Sequence, residues 1–167
     1  FSNGDYAYNE NDNYNFNVSS SNILTPLSQK VTDGITSLKT FLAENADKVI
    51  DITGYYKSDE TNETMFSNLG LARANAVKND LVKNGISSTQ INTMGKLMDE
   101  MIAKDNVYLG PIVYGLADKS ADADDALKTL YEKIKANPLV LYFDTAQASI
   151  NLTAEQRQKV SDISRYL

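Results

Sequence analysis

The residues of this chain that could do chemistry gather between Tyr55 and Arg73. The run Tyr55-Tyr56-Lys57-Ser58-Asp59-Glu60 supplies phenols, an ammonium and carboxylates, and Arg73 follows in Asn68-Leu69-Gly70-Leu71-Ala72-Arg73-Ala74-Asn75-Ala76-Val77. A guanidinium is a planar fork suited to carboxylates, so Arg73 either pairs with an internal partner or stays open for an external one. The internal candidates are Asp59, Glu60 or a backbone carbonyl. Tyr55 and Tyr56 either hydrogen-bond a sugar or peptide or pack over the arginine stem. Asp59-Glu60 is a pair of carboxylates, but nothing else collects around it to shift a pKa, so acid–base catalysis is not the reading and the chain is taken as a non-enzyme.

Composition narrows the chemistry further. The chain has no cysteine, histidine or tryptophan. That removes disulfides, thiol nucleophiles, histidine bases and nearly every zinc, copper or haem site, and no cofactor is expected. Its glycines stand singly at element ends, so no phosphate-cradling loop is present. A net charge of -6 and a pI near 4.6 argue against a nucleic-acid partner. No stretch approaches the roughly eighteen apolar residues of a membrane span and no signal peptide remains, so the piece reads as soluble as given. It opens on Phe1 rather than methionine, which reads as a processed or excised piece.

The elements that must hold this group are legible on either side of it. Val49 to Gly54 alternates as a strand, and Asn68 to Asn84 is a helix closed by Gly85. At about 100° per residue Leu69, Ala72, Ala76, Val77 and Leu81 share one arc of that helix, and Arg73 falls inside it. Upstream, residues 1–13 are polar and aperiodic and read as a flexible lead; their acids lack calcium-loop spacing. Tyr14, Phe16 and Val18 alternate as a half-buried strand. Thr25-Pro26 reads as the cap and first turn of a helix whose stripe is Val31, Ile35, Leu38 and Leu42.

Downstream, Ile91 to Gly95 predicts a third strand and Lys96 to Lys104 a short helix through Leu97, Met98, Met101 and Ile102. Val107 to Tyr114, interrupted by Gly110-Pro111, predicts an edge strand. The order β-α-β-α-β-β implies an α/β sandwich, a mixed sheet with both long helices on one face. Residues 117–137 read as a linker and helix ending at Asn137-Pro138, with Leu139 to Asp144 as a strand and a final helix through Val160, Ile163 and Leu167. Phe143 to Ile150 repeats the spacing of Phe16 to Ile23, an internal repeat.

The segment from Ile50 to Val77 resembles the OmpA-like, peptidoglycan-associating domain. That family has a strand ending Gly-His-Thr-Asp, a polar loop, and a helix beginning Asn-x-x-Leu-Ser-x-x-Arg-Ala-x-x-Val. Here Leu69, Arg73, Ala74 and Val77 keep the spacing, while Tyr55-Tyr56-Lys57 replaces His-Thr-Asp, Phe66 the asparagine and Gly70 the serine. The resemblance covers residues 14–116, and 138–167 resembles the strand and helix that open a second unit. It implies that Arg73 clamps the carboxylate of a peptidoglycan stem peptide, with Tyr55 and Tyr56 beside it. The family aspartate that holds the ligand ammonium falls at Lys57, or at Asp59 after a small loop shift. It further implies a periplasmic location at the outer membrane and a role linking an outer-membrane protein or complex to the wall. The alternative is a degenerate module that docks an outer-membrane or periplasmic protein without wall binding.

Overall fold

The computed structural model describes residues 2–3, 6–7, 12–119, 123–140 and 152–166. In chain order the elements are β1 (Ser2–Asn3), β2 (Tyr6–Ala7), β3 (Phe16–Asn17), α1 (Gln29–Glu44), β4 (Lys48–Tyr56), α2 (Leu69–Lys83), a 3-10 turn at Ser88–Gln90, β5 (Ile91–Leu97), β6 (Val107–Tyr108), β7 (Ile112–Asp118), α3 (Ala123–Ala136) and α4 (Ala154–Tyr166). The alternation seen around Val49–Gly54 makes β4 the centre of the main sheet. It runs parallel to β5, with Ile50 opposite Ile91, and antiparallel to β7, with Ile52 opposite Tyr114.

Because side chains alternate along a strand, Ile50, Ile52 and Gly54 all turn to one face and are buried there. Both long helices cover that face. Val31, Ile35, Leu38 and Leu42 of α1 join Ala74, Val77 and Leu81 of α2 in one cluster with Ile50, Ile52, Ile91 and Ile112. Each valine, leucine or isoleucine among them contributes roughly 1.5–3 kcal/mol on leaving water. The fold is therefore the expected mixed-sheet α/β sandwich, with its helices on one side.

Four details differ from the sequence expectations. The first helix starts later, with Ser28 as its cap, accepting from the Val31 amide, rather than at Thr25-Pro26. No helix forms over Lys96–Lys104: β5 runs on through Leu97, the Met98 amide donates to the Tyr56 carbonyl, and Asp99 accepts from Ser58, leaving Ile102 89% exposed. Ladder pairing with β4 overrides the helical spacing there. The edge strand divides at Gly110, where φ is +63°, into β6 and β7.

The Tyr14–Val18 strand, fourth, does not join the main sheet. Within it only Phe16–Asn17 is strand, β3, and that pairs with β6. Asparagine side chains replace the missing ladder: Asn13 donates through Nδ2 to the Ile112 carbonyl at 2.7 Å, and the Gly110 amide donates to Asn15 Oδ1 at 2.9 Å. Asn13, at the end of the lead, thus ties the segment to β7, and Asn15, one of the strand's alternating polar residues, ties it to the turn at Gly110. In the lead, β1 and β2 pair antiparallel. The strand expected over Leu139 to Asp144 falls largely outside the described residues, as does the Phe143–Ile150 half of the repeat.

Downstream of the sheet α3 and α4 are joined by Lys133 to Asp162 at 2.6 Å, and Lys159 of α4 donates to Asn137, just past α3, at 2.8 Å. Arg157 of α4 donates to the Thr64 carbonyl at 3.2 Å, in the loop between β4 and α2.

The packing of α2 on the sheet depends on two glycines in direct backbone contact, since a methyl built on Gly54 runs into the Gly70 carbonyl. Gly54→Ala is expected to cost on the order of 1–3 kcal/mol through overpacking, read as a lower urea midpoint. At Gly115 an added methyl meets only Asp51 Cβ, at 3.8 Å, so Gly115→Ala should stay within about 0.5 kcal/mol of wild type.

Candidate functional site

The first turn of α2 sits where the sheet leaves room for it. Asn68 caps the helix, its Oδ1 accepting from the Leu71 amide at 2.8 Å, and the side chain lies over Gly95, where a Cβ would collide with it. With Gly54 against Gly70, this seats the helix start on β4 and β5 and carries Arg73 to the end of β4. Arg73 is 0% exposed.

Every N–H of its guanidinium has an acceptor. Nε donates to the Ser20 carbonyl at 3.0 Å, Nη1 to the Tyr55 carbonyl at 2.8 Å and Glu60 Oε2 at 3.0 Å, and Nη2 to Glu60 Oε1 at 2.5 Å and the Asn17 carbonyl at 3.3 Å. These acceptors match the five donors an arginine carries. The rings of Phe16 and Tyr108 lie 5.7 and 5.2 Å from the guanidinium carbon, within cation–π range.

Glu60 is bound as tightly. Its side chain is 1% exposed, and besides Arg73 it accepts from the Lys57 amide at 2.9 Å and the Ser19 amide at 2.8 Å. Burial works against its charge, but the hydrogen bonds from Arg73, Lys57 and Ser19 outweigh it and hold the carboxyl below its ordinary range. Ser19 adopts φ of +56°, uncommon for a residue with a Cβ, and its hydroxyl accepts from the Thr61 amide at 3.0 Å. The turn at Ser19 and the loop at Glu60 hold each other.

Of the residues singled out in the sequence, Arg73 lies at the centre of this group, and Tyr55 meets it through its carbonyl rather than its phenol. The Tyr56 ring packs over Gly70. Lys57 and Asp59 stay outside this group and pair with each other at 3.4 Å; Asp59 is 71% exposed, and its hydrogen bond and then its charge raise the Lys57 ammonium. The internal partner of the guanidinium is thus Glu60 and not Asp59. Sequence reasoning did not place Asn17, Ser19, Ser20, Phe16 or Tyr108 here. Phe16 carried a signal, as an apolar residue on a strand, but carbonyls reach a site through tertiary register and leave no mark in the sequence.

Removing one partner of a buried pair strands the other charge. Glu60→Ala should cost about 3–5 kcal/mol in urea unfolding, whereas Arg73→Met with Glu60→Leu together should restore most of that loss. The depressed carboxyl also sets a pH dependence. A group whose folded pKa lies below its unfolded value of about 4.3 stabilises above that pH and loses the contribution as pH falls through the folded pKa. The urea midpoint of wild type should therefore fall below about pH 4.3 more steeply than that of Glu60→Gln, which lacks the ionisation.

Comparison with known proteins places the chain in a family. Residues 15–107 match the model of the OmpA family. Among solved structures, the chain is similar to the OmpA-like domain of FopA1 from Francisella tularensis, at 19% identity and a TM-score of 0.38 over 64% of this chain and 73% of that one. It is also similar to the C-terminal domain of Helicobacter pylori MotB, at 15% identity and a TM-score of 0.45 over 76% of this chain and 98% of that one. No curated protein sequence matches it. With its strand, loop and arginine-bearing helix all inside the matched residues, the chain belongs to the OmpA family.

Proposed function

We propose that this domain is a non-enzymatic periplasmic module that docks a protein partner within an outer-membrane assembly, and that Arg73 serves its scaffold rather than the wall. The observation that carries the reading is the carboxylate of Glu60 seated in the Arg73 fork, with three backbone carbonyls taking the remaining donors. An external carboxylate has no free N–H to meet. Lys57 reinforces this, since an ammonium on the loop repels the ammonium of a diamino-acid ligand. Residues 138–167 are proposed to open a second unit, against which the first is braced through Arg157 on the Thr64 carbonyl.

Family membership favours a second reading, in which the unit itself links its assembly to peptidoglycan. The stem-peptide carboxylate would then displace Glu60 from Arg73, with Tyr55, Tyr56, Lys57 and Asp59 at the rim. Displacement must break the bonds of Glu60 to Arg73 and leave the Lys57 and Ser19 amides without their acceptor, a heavy cost for one bidentate contact worth about 1.5–3 kcal/mol.

Pelleting with purified wall sacculi separates the two. The wild-type chain is expected to stay in the supernatant, and Lys57→Asp, which keeps the backbone amide that donates to Glu60 and loses the surface pair with Asp59, should leave its melting temperature within a few degrees. Pelleting of wild type that free diaminopimelate competes away would overturn the docking reading and return Arg73 to the wall.

A further inference from the structure

A pocket of about 270 Å³ opens at the other end of the helical layer. Its floor is apolar: Val31, Ile35 and Leu38 of α1, Leu81 of α2 and Ile112 of β7. Leu81 lies eight residues beyond Arg73, about 12 Å along the helix axis, so the pocket and the arginine site are separate. The volume lies just below the roughly 300–1,000 Å³ of small-molecule sites, which suits a side-chain anchor better than a cofactor.

The charged groups nearest the floor are two carboxylates, Asp80 behind Tyr14 and Asp12 in the lining, with the Lys30 ammonium near Asp12. Tyr14, lining the wall, donates its hydroxyl to Asp80 Oδ2 at 2.6 Å, and Tyr114 donates to Asn13 Oδ1 at 3.0 Å. Burial raises both phenols above their ordinary range, and Asp80 raises both further, so they remain protonated donors, Tyr14 to Asp80 and Tyr114 to Asn13. Asp12 stands exposed at the rim beside Val113, which is also exposed. Lys30 is close enough to Asp12 to help hold its carboxyl low, after the hydrogen bonds from Ser28 and the Asn13 amide, so a ligand cation must share that carboxylate.

We propose that this pocket anchors one aliphatic side chain of a partner protein, presented beside a lysine or arginine that meets Asp12. The apolar floor selects the first group, and Asp12 at the rim with Asp80 behind the Tyr14 wall selects the second. The proposal rests on the docking reading and supplies the chemistry of the partner.

The test titrates the full chain, with labelled methyl groups, against the blocked dipeptides acetyl-Lys-Leu-amide, acetyl-Glu-Leu-amide and acetyl-Lys-Ser-amide, read by NMR. The Lys-Leu probe should shift the methyls of Val31, Ile35, Leu38 and Ile112 saturably. The Glu-Leu probe should bind at least about fivefold more weakly, and the Lys-Ser probe should leave those methyls unmoved. Asp12→Asn, a surface change, should bring the Lys-Leu and Glu-Leu probes within about twofold of each other. No localised shifts, equal binding of both leucine probes to wild type, or contacts from the aromatic protons of residues 1–11 to Ile35 and Leu38 would each overturn the proposal, the last because the chain's own lead would fill the pocket. Wall pelleting competed by diaminopimelate would instead remove the docking reading and leave these shifts unaffected, so the two failures are distinguishable.

Discussion

A guanidinium taken wholly out of water constrains more of this structure than any other single group. Arg73 must have an acceptor for each N–H, because an unpaired charge at 0% exposure costs several kcal/mol. The acceptors come from the turn at Asn17 and Ser20, from the end of β4 at Tyr55 and from the loop at Glu60. One side chain therefore fixes the position of three segments that are far apart in sequence. The pair need not stabilise the fold relative to an apolar replacement; its effect is to make other arrangements of those segments expensive.

That requirement explains the loop between β4 and α2. Glu60 can reach Arg73 only if the chain turns directly after Tyr56, and the Lys57 amide on its carboxylate and the Asp99 carboxylate on Ser58 hold the turn. Lys57 and Asp59 are left outside the group as a consequence and pair weakly at the surface, where such contacts contribute about 1 kcal/mol or less. The aromatic rings of Phe16 and Tyr108 close the group from β3 and β6, so the short ladder between those strands is part of the arginine's enclosure.

Much of this was legible in the sequence and some was not, for physical reasons that differ by residue. The alternation of β4, the stripe of α1, the Asn68–Gly85 limits of α2 and the place of Arg73 on its buried arc all follow from local periodicity and capping. That Arg73 needs a partner was also readable; which partner was not, because Asp59 and Glu60 differ by one residue in a loop whose turn is set by Ser19 and Asp99. The spacing of Leu97, Met98, Met101 and Ile102 pointed to a helix and lost to pairing with Tyr56, a contact no local window contains. The role of Asn13 and Asn15 in place of a strand ladder was hidden in the same way.

The domain thus has two distinct ends: at the start of α2 a charged cluster closed on itself, and near the end of α2 a pocket with an apolar floor from α1, α2 and β7. The internal commitment of Arg73 is the claim on which this division stands, and nitrogen-detected NMR of its guanidinium tests it most directly. A fork held by Glu60 and three carbonyls should show hindered rotation, with resolved Nη protons, slow exchange with water and no change when diaminopimelate is added. Averaged Nη signals that exchange rapidly with water, or that shift with that ligand, would contradict the account.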